Sequence, residues 1–135
     1  MKVGRILIAG IAVSVVNIVW GFLTCGRFFN WVYTLKPTYI WKSAEEIPFG
    51  LANIAGIIFA IFLALVYAVI KSALPGKGIV KGLTYGLLIW LIGTLPGNFG
   101  LGMFTRIHPT VVTYWIISGL VVNLLYGLVI AAIYK

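Results

Sequence analysis

Long apolar runs separated by short basic interruptions organise this chain. Arg5 and Arg27 bracket 21 uncharged residues, Glu46 and Lys71 bracket 24, Lys81 and Arg106 bracket 24, and Arg106 and Lys135 bracket 28. A helix rising about 1.5 Å per residue needs roughly 20 residues to cross about 30 Å of hydrocarbon. Each run therefore predicts one transmembrane helix. Barrel strands would be shorter and would alternate apolar with polar positions, so the continuity of the runs argues for helices. The expected fold is an all-α membrane protein with one domain over residues 1–135. It is a four-transmembrane-helix bundle, with spans at about 4–26, 47–70, 79–103 and 108–134 and an aromatic interfacial loop between the first two. The first run could be mistaken for a signal peptide ending at Cys25. It exceeds the roughly 7–15 residues of a signal core, and Thr24 is a poor small residue before a cleavage site.

Composition agrees with lipid as the solvent. Hydrophobic residues make up 62% of the chain and charged residues 9%, against roughly 45–50% and 25% in a soluble domain. Ten Lys or Arg and two Glu are too few to cover a water-facing surface. With four spans, Lys2, Arg5, Lys71, Lys77, Lys81 and Lys135 fall on one side, and Arg27, Lys36, Lys42 and Arg106 on the other with Glu45 and Glu46. The larger basic count places both termini in the cytoplasm of a multi-pass inner-membrane protein. The net charge of +8 sits just outside the spans, a distribution that suits anionic lipid at the cytoplasmic face and not nucleic acid. The turn from Lys71 to Lys81 is the clearest such segment, at about 1 kcal/mol per basic residue. The single Cys25 permits no internal disulfide and no Cys-rich metal site.

Small residues recur at helical spacing in every span. Ala52, Gly56, Ala60, Ala64 and Ala68 mark the second, and Gly119, Asn123, Gly127 and Ala131 the fourth. Gly10, Ser14, Asn17 and Gly21 share a narrow arc of the first. In an uninterrupted third helix, Gly78, Gly82, Gly86, Gly93, Gly97 and Gly100 would share about 100°. Such stripes let helices approach closely where water no longer drives them together. Asn17 and Asn123 fall near the middle of their spans, within the matching segments Val15–Gly21 and Val121–Gly127. An amide in hydrocarbon must find partners, so both are expected to face the bundle interior and to bond each other, Ser14, Ser118 or backbone carbonyls. The matching segments, in helices of opposite direction, could also be the trace of an inverted repeat framing a midplane site.

Two segments stand out as candidate sites. Pro96, Gly97, Asn98 and Gly100 interrupt the third span, where proline removes a helical hydrogen bond and glycine lowers helix propensity. A break there would be the best binding or gating element, and an ordinary helix end is the plainer expectation. Between Phe28 and Trp41 the loop holds six aromatics, including Trp31, Tyr33, Tyr39 and Trp41. Their rings suit the head-group layer or an apolar partner. Ser43 and Glu46 have capping-box spacing, which predicts that the second helix starts near Ser43.

The excluded chemistry is as informative. No Asp, Glu, Lys or Arg lies inside a span beyond Arg5 and Lys81 at the span ends, which weighs against proton-coupled transport. The first span lacks the buried Glu of small multidrug-resistance exporters, and the Gly-Ala and Arg pattern of fluoride channels is missing. His108 alone supplies no paired haem ligands and reads as a helix-start residue, and Glu45 and Glu46 point in different directions. No enzyme activity, cofactor or metal is expected. The stretch Phe29-Asn30-Trp31-Val32-Tyr33, with Pro37-Thr38 and Trp41-Lys42, resembles the loop of small four-span prokaryotic membrane proteins without assigned activity. That resemblance implies the same architecture and no functional residue. The expected role is a non-enzymatic structural or interaction subunit, in a homo- or hetero-oligomer; the alternative is a small oligomeric channel or facilitator.

Overall fold

A computed structural model describes all residues from Met1 to Lys135. The chain folds into helices joined by turns and loops, without strands. Helix α1 covers Val3–Leu23, α2 Phe49–Ile70, α3 Ile79–Ile89, α4 Leu95–Phe104 and α5 Pro109–Ile133. A π-turn at Thr24–Phe28 extends α1, and another at Trp90–Thr94 joins α3 to α4. Four helical rods result, Val3–Phe28, Phe49–Ile70, Ile79–Phe104 and Pro109–Ile133, each long and apolar enough to cross a membrane. Only 22 of 135 residues are buried, while Phe22, Phe59, Ile92 and Phe104 are among the many large apolar side chains facing outward. This is the inverse of a water-soluble surface.

The rods neighbour one another in the order α2, α1, α5, α3–α4, and the tightest seam joins α3 to α5. Glycine allows it. A Cβ at Gly82 would stand 2.7 Å from the Gly127 carbonyl oxygen, and one at Gly86 2.8 Å from the Leu124 Cα. A Cβ at Gly127 would collide with the Gly82 carbonyl. Backbone therefore touches backbone, the contact that only a residue without a side chain permits. On the other flank Gly10 lies against the backbone of Ile61, seating α1 on the Ala60 and Ala64 face of α2.

Tyrosines close the end of the bundle that carries Met1, the 71–78 turn and Lys135. The Tyr67 ring meets Tyr85 edge-on at 5.1 Å and Tyr134 at 6.4 Å. Tyr85, 1% exposed, donates its hydroxyl to the Leu63 carbonyl and so ties the third rod to the second. The opposite end, with residues 24–48 and 105–108, is held by aromatic side chains described below.

Three expectations need correction. Helix α2 starts at Phe49 with Pro48 as its N-cap, not near Ser43. The Ser43 N–H does donate to Glu46 Oε2 at 2.9 Å, but this closes an isolated turn. Pro48, without an N–H, suits the entry of the helix that follows and not the interior of one begun earlier. The irregularity in the third rod lies at Trp90–Thr94, one turn before the expected place, and Pro96 to Gly102 is regular helix. Pro96 sits in the first turn of α4, where its missing N–H costs nothing, and the wide turn before it makes room for the ring. The same turn divides the expected glycine arc. Gly82, Gly86, Trp90 and Thr94 stay against α5, while Gly93, Gly97 and Gly100 have no atom near where a Cβ would stand.

The seam makes a quantitative prediction. Gly127→Ala should destabilise the protein by about 1–3 kcal/mol through overpacking, whereas Gly93→Ala should be neutral or slightly stabilising. Thermal unfolding in mild detergent checks this, and equal effects of the two substitutions would contradict the seam.

Candidate functional site

Polar side chains midway along the rods bridge one helix to the next. Asn123, 5% exposed, donates through Nδ2 to Thr94 Oγ1 at 2.9 Å and to the Gly119 carbonyl at 2.7 Å. Asn17 accepts at Oδ1 from the Tyr126 hydroxyl at 2.6 Å. The two amides do not bond each other. Ser14 is buried and donates back to the Ile11 carbonyl at 2.7 Å. Trp20 Nε1 donates to Ser118 Oγ at 2.9 Å, and Trp90 Nε1 to the Ile116 carbonyl at 2.9 Å. Together these bonds set the rotation of α1 and of the third rod against α5.

Asn17 meets the expected inward position only in part, through its bond to the buried Tyr126. The residue is exposed, and its Nδ2 has no hydrogen-bond acceptor in the chain. The reason is the neighbouring helix. Gly56 of α2 offers no side chain, and a Cβ there would reach only 3.8 Å from Asn17 Nδ2. Gly21, one turn along α1, is also open. The matching segments at Val15–Gly21 and Val121–Gly127 make different contacts, since Asn17 meets Tyr126 while Asn123 meets Thr94.

The loop folds onto the first turns of α5. Trp115 Nε1 donates to the Tyr33 hydroxyl oxygen at 2.9 Å, and the Tyr33 hydroxyl donates to Cys25 Sγ at 3.3 Å. Cys25 Sγ lies 3.5 Å from the Tyr114 hydroxyl. Trp41 packs edge-on against Tyr33 at 5.2 Å and Trp115 at 5.9 Å, geometry favoured by the ring quadrupoles. Its Nε1 is buried without a partner. Phe29 stacks at a tilt on Tyr114 at 5.1 Å. Helix α5 begins beside this cluster, where His108 Nδ1 accepts the Thr110 N–H at 3.2 Å and Pro109 follows in the first turn.

Beneath the loop, α1 and α5 diverge into a half-open apolar cleft of about 550 Å³. Trp20 and Thr24 line one wall, Tyr114, Ile117 and Val121 the other, and Phe29, Trp31 and Val32 the roof. The hydroxyls deepest between the helices are already used, with Thr24 Oγ1 donating to the Trp20 carbonyl at 2.6 Å and Ser118 accepting from Trp20, while Thr110 keeps a free hydroxyl. The cleft therefore offers shape and apolar surface, with little to bind a polar solute.

Of the candidate residues, the structure joins Tyr33 and Trp41 in one cluster and places Trp31 at the cleft. Tyr39 is 76% exposed and stands apart. Pro96, Gly97 and Gly100 lie on the open side of α4, and Asn98 Nδ2 covers the Thr94 carbonyl at 2.8 Å. The amides and the aromatic loop form two places, not one. Sequence reasoning missed Trp115, Tyr114, Trp20, Thr94 and Tyr126. Their positions carried a signal: Tyr114 and Trp115 lie at the same end of the rods as the aromatic loop, and Tyr126 is one turn from Asn123. No group of His, Cys, Asp and Glu could hold a metal ion. Comparison with protein-family models, curated proteins and solved structures finds no match to this chain.

Burial, reinforced by the bond to Cys25 and opposed by the Trp115 N–H, pushes the Tyr33 hydroxyl above the ordinary tyrosine range. The folded loop thus holds this proton more tightly than the unfolded chain does. Its contribution to stability is complete below about pH 10 and is lost as the pH rises beyond that value. Tyr33→Phe should remove this alkaline loss and cost about 1 kcal/mol at neutral pH. Tryptophan fluorescence during alkaline titration checks both effects, and an unchanged profile in the variant would contradict the assignment.

Proposed function

We propose that this chain is a non-enzymatic interaction subunit of a membrane assembly, either self-associated or bound to another membrane protein. The four rods cross the inner membrane with the 71–81 turn and both described ends in the cytoplasm, following the six-to-four distribution of basic residues. The aromatic loop lies along the outer head-group layer, where Trp and Tyr satisfy both an apolar ring and a polar edge. The outward apolar shell supports lipid as the solvent.

One observation carries the interaction role. Asn17 keeps an unsatisfied Nδ2–H donor midway along α1, beside Gly56 of α2 and one turn from the open Gly21. In hydrocarbon such a donor loses its water partners at a cost of several kcal/mol, and an acceptor on another chain relieves that cost. A small residue one turn away lets a foreign helix come close enough to supply it. Gly93, Gly97 and Gly100 add a second open strip on the far side of the bundle. A channel draws less support. The helix over 95–104 is regular, Asn123 is bonded to Thr94, and the amides left open along the rods, those of Asn17 and Asn53, belong to exposed residues.

A photoreactive residue at position 21 tests this in native membranes. The expected result is a cross-link to protein, with Asn17→Leu lowering the yield roughly 3- to 20-fold, the range for loss of an interhelical amide bond of about 0.6–1.7 kcal/mol. Adducts to lipid alone, unchanged by Asn17→Leu, would overturn the proposal.

A further inference from the structure

At the end of the bundle opposite the aromatic loop, the last turn of α5 and the first of α3 enclose a second cavity of about 660 Å³. Its mouth is lined by Lys71, Lys77, Lys81 and Lys135, with the apolar side chains of Ile79, itself 70% exposed, Leu128 and Ala132 beside them. The chain folds to bring three of these lysines together. Gly76 and Gly78 take positive φ values of 84° and 52°, so the 71–78 turn doubles back and sets Lys77 at the same mouth as Lys71 and Lys81. Two ammonium groups are then fixed by neutral partners. Lys81 Nζ donates to the Lys71 carbonyl at 2.7 Å, and Lys71 Nζ sits 4.7 Å from the centre of the Tyr134 ring. Neither contact cancels a charge. The only two acidic side chains of the chain, Glu45 and Glu46, belong to the loop at the other end of the rods.

Like charges converging on a half-enclosed mouth without an acidic side chain repel one another unless an anion joins them. The N-terminus of α3 opens beside the same mouth, adding the positive end of its dipole. Below the charges the wall turns apolar along α5, in the direction of the hydrocarbon. An anion seated here would have a charged head and a long apolar tail. We infer that this cavity is a site for one anionic phospholipid of the inner leaflet, its phosphate held by Lys71, Lys77 and Lys81 and an acyl chain lying on Ile79 and Leu128. This is a defined binding site, distinct from the diffuse attraction of any basic turn to an acidic surface. It rests on the membrane placement proposed above and is independent of the subunit role.

Native mass spectrometry of the detergent-solubilised chain, titrated with phosphatidylglycerol or phosphatidylcholine, tests the site. One phosphatidylglycerol should be retained in preference to phosphatidylcholine, and Lys71→Gln with Lys77→Gln should weaken it roughly tenfold or more. Lys36→Gln with Lys42→Gln removes the same charge at the other end and should leave retention unchanged. Should the first pair fail to fold, Lys77→Gln alone, at an exposed side chain that makes no hydrogen bond, should weaken binding about fivefold. Equal retention of the two lipids, or equal loss from both double variants, would overturn the site. Full displacement of the lipid by soluble glycerol phosphate would reassign it to free phosphate and overturn the lipid. Recovery of the chain in the soluble fraction after carbonate washing would instead overturn the membrane placement.

Discussion

The backbone contact between α3 and α5 is the constraint on which the rest of the structure depends. Gly82 and Gly86 face Gly127 and the Asn123 backbone so closely that any side chain would separate the helices. This closeness fixes the depth of every polar pair along the seam. Asn123 reaches Thr94, and Trp90 reaches the Ile116 carbonyl, because α3 and α5 are held at glycine distance. Such bonds contribute about 0.6–2 kcal/mol each, enough to set register once packing has set distance. The π-turn at Trp90–Thr94 extends the seam beyond the glycines by keeping its every-fourth-residue contact on α5.

From this seam the two ends acquire different characters. At the lysine end the tyrosine cluster and the Tyr85 bond to Leu63 draw the second and third rods together. At the loop end that closure is absent, and the connection falls to Tyr33, Trp41, Trp115 and Cys25. Stability comes from backbone proximity and ring contacts more than from a large buried core. The surfaces left over are therefore few and specific: the open amide of Asn17, the strip at Gly93, Gly97 and Gly100, the cleft beneath Trp31, and the lysine-lined cavity.

Much of the architecture is legible in the amino-acid sequence because the chain has so few charges. Arg5, Arg27, Glu46, Lys71, Lys81, Arg106 and Lys135 delimit the four apolar rods to within a few residues of their ends. Local signals were less dependable where two of them competed. The Ser43 and Glu46 spacing suggested a helix start, yet Pro48 moved it to Phe49. Pro96 suggested a break, yet the widened turn before it absorbed the strain and left the proline in a helix start. The candidate sites were legible only in part, because partners of an amide or indole depend on rotation about each helix axis. Asn17 and Asn123 were visible by residue type. That Asn123 would bond Thr94, and that Asn17 would bond Tyr126 beside Gly56 while staying exposed, follows from packing that no single helix encodes.

Asn17 and the open glycine surfaces are proposed to meet another chain. The most direct measurement is the mass of the particle cut from native membranes with its surrounding lipid, without detergent. Protein mass well above that of one 14.8 kDa chain is expected, whether from further copies or from a different subunit. A particle holding a single 14.8 kDa chain and lipid alone would contradict it.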